Sequence, residues 1–108
     1  MDNFKIIYRI LKYLEQHLGE PIDVDKISHE QFGISFLRWE ALLRMIQEEG
    51  YIEGLVYEQT MSDSSPHIVT PIRPKITIRG LGYLEENSFM KKAAEALKTV
   101  KEIVPGMK

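Results

Sequence analysis

Gln47-Glu48-Glu49-Gly50-Tyr51-Ile52-Glu53-Gly54 is the stretch whose reading decides the fold, together with Ile76-Thr77-Ile78-Arg79-Gly80-Leu81 further along the chain. The first closes an amphipathic helix on a glycine, which readily takes the left-handed conformation that stops a helix, and passes straight into a β-forming run. The second brings a strand back and caps a new helix on Thr77. Ile76 before the cap and Leu81 after it have the spacing of a hydrophobic staple. Between the two, Met61 to Pro66 reads as a loop rich in Ser, Asp and Pro. Helix, tight turn, strand, loop, strand, helix is the order in which a winged helix-turn-helix is built. The expected class is therefore α+β: a three-helix core, a β-hairpin wing and additional C-terminal helices.

Toward the N-terminus, the helix that ends on Gly50 begins at a Ser35 cap. At about 100° per residue, Trp39, Leu42, Leu43 and Ile46 cluster on one side, which must face the core. The opposite side carries Leu37, Ala41, Arg44, Met45 and Glu48, with Arg38 and Glu40 on its flanks. Ahead of it, Asp23 caps a short helix over Val24 to Phe32, and Gly33-Ile34 makes the turn of a helix-turn-helix pair. Helix 1 runs from Asn3 to Leu18, with Phe4, Ile7, Ile10, Leu11, Leu14 and Leu18 as its apolar stripe and Gly19 as its stop. Pro21-Ile22 is an extended piece, a candidate third strand.

Toward the C-terminus, Tyr51 to Gln59 reads as a strand, and His67 to Ile72 with Lys75 to Ile78 as its returning partner. Pro71 and Pro74 lack the amide a ladder needs, so the returning strand is an edge or is bulged. A fourth helix covers Ile78 to Glu86, Asn87-Ser88 breaks or kinks it, and a last helix runs from Phe89 to Val104. The division follows: residues 1–87 form the winged-helix domain, and 88–108 a C-terminal helix that either packs on it or serves dimerisation.

Composition bounds the function. A chain of 108 residues with 44% hydrophobic content makes one packed domain. It has no cysteine, hence no disulfide, thiolate metal site or cysteine nucleophile. Lys5, Arg9 and Lys12 interrupt the N-terminal apolar residues, so no signal peptide is read there, and no run is long enough to span a membrane. A soluble cytoplasmic protein is the expectation. Charge is uneven: residues 1–70 hold six Lys and Arg against twelve Asp and Glu, whereas residues 71–108 hold eight against four. A DNA-binding surface must therefore draw on the later part of the chain.

Two surfaces compete for function. Ser35, Arg38 and Arg44 are the groove-facing polar residues of helix 3, and Arg73, Lys75 and Arg79 give the wing a basic character, with His67 nearby. Such a wing lies along phosphates, or is a solvated edge strand kept from aggregating by charge and proline. Leu37, Ala41 and Met45, however, make the outer strip of helix 3 apolar. Three coverings fit that strip: another element of the same fold, a protein partner or second subunit, or a DNA groove read by Arg38 and Arg44. The C-terminal helix carries a seam of Met90, Ala94, Leu97, Val100 and Val104, about two heptads long, which folds back on its own domain or pairs with a second copy as a homodimer.

Enzymatic constellations are absent from the pattern. His17, His29 and His67 lie on separate elements without metal-ligand spacing, and no Gly-rich phosphate loop follows a strand. No cofactor and no small-molecule substrate are implied. The leading expectation is a non-enzymatic module that binds duplex DNA in a regulatory role; the alternative is a winged helix used for protein contact.

One resemblance adds to this. Glu49-Gly50-Tyr51-Ile52-Glu53-Gly54, Ile76-Thr77-Ile78-Arg79-Gly80 and Tyr83-Leu84-Glu85-Glu86-Asn87 resemble the YjcQ family, as do Lys91-Lys92-Ala93-Ala94 and Lys98-Thr99-Val100-Lys101-Glu102-Ile103. The likeness spans most of the chain and is most specific in its last third. It implies a small winged-helix protein of Gram-positive bacteria and their phages, and it assigns no activity and no functional residue.

Overall fold

The computed structural model describes residues 2–88. Helix α1, Asn3–Gln16, is capped by Asp2, whose carboxylate accepts the Lys5 amide at 3.0 Å. It buries Ile6, Ile10, Leu11 and Leu14. Phe4 and Leu18, both expected in that stripe, are exposed. Phe4 is offset from Ile6 by about 200° around the helix, and Leu18 follows the helix end at Gln16.

The expected second helix is two pieces. Val24–Ile27 is a 3-10 turn capped by Asp23, and α2, His29–Phe32, starts afresh from Ser28. Ser28 is extended, and its hydroxyl accepts the Gln31 amide at 3.3 Å. A second cap so close to the first breaks the run that apolar spacing alone suggests. Gly33, at φ +67°, turns the chain into α3, Phe36–Glu48, which Ser35 caps through the Arg38 amide. Trp39, Leu42, Leu43 and Ile46 enter the core as the periodicity requires, and the Trp39 indole donates to the Ile27 carbonyl at 2.8 Å.

After Gly50 the expected long strands are each divided. β1, Ile52–Glu53, pairs antiparallel with β4, Lys75–Ile76; β2, Tyr57–Glu58, pairs with β3, His67–Ile68. The break falls at Gly54, whose φ of +98° no other residue adopts cheaply and where a Cβ would meet the Arg73 carbonyl oxygen at 2.6 Å. The Gln47 side chain replaces the missing ladder there: its amide donates to the Leu55 carbonyl at 3.0 Å and its oxygen accepts the Leu55 amide at 2.9 Å. Pro21 and Ile22, the candidate third strand, join no ladder.

Helix α4 begins at residue 78 and is described to residue 88, so it passes through Asn87 and Ser88, where a break was expected; the Asn87 amide donates to the Tyr83 carbonyl at 2.8 Å. Thr77 caps it, accepting the Gly80 amide and donating to the Gly50 carbonyl. Gly80 is buried against Tyr51, and a Cβ at Gly80 would overlap the Tyr51 carbonyl oxygen. One apolar cluster joins α1, the 3-10 turn, α2, α3, both ladders and Leu84 of α4. The architecture is α+β, helices with two small antiparallel ladders, and is compatible with a winged helix. The last helix expected over Phe89 to Val104, with its seam of Met90, Ala94, Leu97, Val100 and Val104, falls outside the described residues.

Candidate functional site: the open face of α3

Helix α3 has three working faces. The core face is described above. A second, formed by Glu40, Arg44 and Gln47, meets the β2–β3 hairpin. Sequence spacing places Glu40 on an outer flank, but Glu40 is only 3% exposed. Its carboxylate accepts the Ile68 amide at 2.9 Å and contacts His67 Nδ1 at 2.9 Å. Asp63 lies 3.6 Å from the other ring nitrogen of His67. The bond to Glu40, with the charges of Glu40 and Asp63, holds the His67 pKa above its ordinary value, against a smaller opposing effect of burial. The Tyr57 hydroxyl is buried beside them without a hydrogen-bond partner among the described residues, and burial pushes its pKa up to about 12, with nearby Arg44 acting the other way. Gln47 completes the contact through Leu55. Glu40 and Gln47 are seven positions apart and both border the core face, the one sequence signal that marks them as a pair.

The third face is open among the described residues. Leu37 is 63% and Met45 53% exposed, with half-buried Ala41 between them and Phe36, 46% exposed, at the helix start. Neither α1, the hairpin nor α4 as far as residue 88 closes over this strip.

The six residues read as DNA contacts fall in separate places. Ser35 is spent on capping α3. Arg38 is exposed, and its guanidinium donates from Nε and Nη2 to the Asn3 side-chain oxygen at 3.0 and 2.6 Å, which ties it to the start of α1. Arg44 is half-buried on the hairpin side. Arg73 and Lys75 border a crevice with Glu20, Pro21 and Ile22 beyond the other end of α1, and Lys75 stands opposite Glu53 in the ladder. Helix α1 is about 20 Å long at 1.5 Å per residue, so Arg38 and Lys75 bracket it at opposite ends. Arg79 sits at the far end of α3, donating to the Glu49 carbonyl at 3.0 Å, its guanidinium 5.7 Å from the Tyr51 ring centre. No basic residue lies in the hairpin tip between Gln59 and Pro66.

Among the described residues no cluster of His, Asp and Glu has the arrangement of a metal site. No helix there is long and apolar enough to cross a membrane.

The sequence profile of the YjcQ protein family matches residues 8–103. The uncharacterized protein YjcQ of Bacillus subtilis (strain 168) is 29% identical over 102 residues, covering 94% of this chain and 97% of that protein. No solved structure matches the chain.

Proposed function

The chain belongs to the YjcQ family, and we propose that it is a non-enzymatic winged-helix module that works by binding protein, its partner being a second copy of itself. The observation that carries this reading is the open strip of α3, where Leu37 and Met45 stay more than half exposed on one helical face. Large side chains aligned at helical spacing lose water only when another surface covers them, and burying each stabilises a contact by about 1.5–3 kcal/mol. A two-fold dimer uses the same patch on both copies, which an apolar helix face satisfies without charge matching. The three- and four-residue spacing of Met90, Ala94, Leu97, Val100 and Val104 in the sequence is that of a second apolar strip, which would extend that contact.

Sedimentation of the intact chain tests the reading. The wild type is expected to be dimeric and Met45→Glu monomeric with an unchanged helix signal, since Met45 supports no core contact. A wild-type monomer, or a Met45→Glu dimer, would end it. Leu97→Asp is expected to weaken the dimer as well.

A second reading, duplex DNA, has its own support: the first turn of α3 is exposed, with Ser35 and Arg38 at its start and a hairpin along its flank. A regulatory role of phage type belongs to this reading. It requires binding that falls steeply with salt, with a log–log slope of several units if Arg38, Arg73, Lys75 and Arg79 meet phosphates. Absence of duplex retention at low salt would dismiss it.

A further inference from the structure

One flank of α1 faces the 3-10 turn and α2 across an open cleft of about 700 Å³, within the range that takes a small ligand. Its charge runs against its surroundings. Residues 1–70 contain twice as many acids as bases, yet Arg9, Lys12 and Lys26 line the cleft and Asp23 is the one acid among its lining residues. The Asp23 carboxylate is engaged in accepting the Asp25 amide at 3.1 Å. Lys12 is held by Glu15 at 2.8 Å and also feels Glu85 of α4, so of the two lysines Lys26 is the one left to meet an incoming anion, with the Arg9 guanidinium lining the same cleft. Lys26 has no ion-pair partner among the described residues.

The walls are aromatic and set in place. Tyr8, Tyr13 and Phe32 contribute ring surface, and Gln16 and Gln31 contribute amides that both donate and accept. The Tyr13 hydroxyl accepts the Asp23 amide at 2.8 Å, which fixes the far wall at one reach from α1. The His17 ring lies against Tyr13 with centroids 4.4 Å apart. A ligand that uses all of this has a flat ring to lie on tyrosine, polar edges for the glutamines and an anionic group for the cations. A nucleobase joined to phosphate has these parts in one molecule.

We infer that the cleft between α1 and α2 is a binding site for a mononucleotide, with Lys26 and Arg9 on the phosphate and Tyr8 and Tyr13 against the base. The site lies apart from the open strip of α3. Because α2 joins α3 through Gly33 to Ser35 alone, a ligand held between α1 and α2 acts on the seating of α3.

The test is an NMR titration of the intact, isotopically labelled chain with AMP, adenosine and inorganic phosphate in parallel. AMP is expected to shift amides of residues 8–17 and 21–32 saturably, with a Kd below about 1 mM, and to bind more tightly than adenosine or phosphate alone. Lys26→Glu, at an exposed position, is expected to weaken AMP about tenfold or more, and Lys26→Arg to retain it. The inference is overturned by no saturable AMP shifts, by shifts centred elsewhere, or by equal affinity in Lys26→Glu. It is overturned too if a thymidine oligonucleotide binds there far more tightly than AMP, which would make the cleft part of a strand-binding surface.

Discussion

Replacing Glu40 by alanine isolates the contact that seats the β2–β3 hairpin on α3. The carboxylate is almost wholly buried, and one of its oxygens accepts the Ile68 amide, itself buried, at 2.9 Å. Alanine leaves that buried amide without its carboxylate acceptor. A hydrogen bond to a charged group contributes about 1.5–3 kcal/mol, much of it as the cost of the orphaned donor. The His67 contact is left out of this figure, because its side chain is 40% exposed and solvent screens most of its effect. Glu40→Ala should therefore lose about 2–3 kcal/mol, which in a domain of this size lowers Tm by about 10–20 °C. Glu40→Gln keeps an acceptor for Ile68 and should lose less than half as much. Urea unfolding of both variants, with hydrogen exchange at Ile68, measures the effect. A loss below about 0.5 kcal/mol in Glu40→Ala, at the noise of surface substitutions, or equal losses in the two variants, would refute the assignment of Glu40 as the hairpin's anchor.

Three other outcomes follow from the same geometry. The His67 pKa is raised by Glu40, so its contribution to stability is present below the unfolded value near 6.5 and is lost as pH rises through the higher folded value; wild type should lose stability over that window relative to His67→Gln, and an NMR titration of His67 with a midpoint at or below 6.5 would contradict it. Gln47→Ala removes both bonds to the Leu55 backbone and should cost about 1–2 kcal/mol, with faster amide exchange at Leu55 as its specific mark. Gly80→Ala places a methyl group on the Tyr51 carbonyl and should destabilise by about 1–3 kcal/mol or prevent folding, read by thermal unfolding.

The helical skeleton was legible because its signals are local. Ser35, Gly50 and Thr77 cap or stop helices through their own side chains or backbone freedom, and Trp39, Leu42, Leu43 and Ile46 repeat at helical spacing. What escaped sequence reading depends on partners distant in the chain. Glu40 looks like a solvent residue until β3, 27 and 28 positions later, brings His67 and Ile68 to it. The strands looked continuous because β-propensity ignores the approach of Arg73 to Gly54, which forces the break. The basic residues of the later segment look like one wing in the sequence, but the two ladders place Arg73 and Lys75 beyond the C-terminal end of α1 and Arg79 at the end of α3. Phe4 differs for a simpler reason: its spacing to Ile7 and Leu11 fits a helical stripe, but the buried face of α1 runs through Ile6 and Ile10 instead.

The close seating of Gly80 on Tyr51 bears on how this polypeptide can be dissected. The acidic stretch up to the hairpin and the basic stretch after it are stitched backbone to backbone, by the Thr77 amide donating to the Tyr51 carbonyl at 3.0 Å and by the glycine that admits the helix. Fragments cut between them would each expose an unpaired strand and half a core, so neither should survive as a separable unit. Reporter tags and loop grafts belong instead at Thr60 to Ser65, where Met61 and Ser62 point into solvent and the chain doubles back without touching the core.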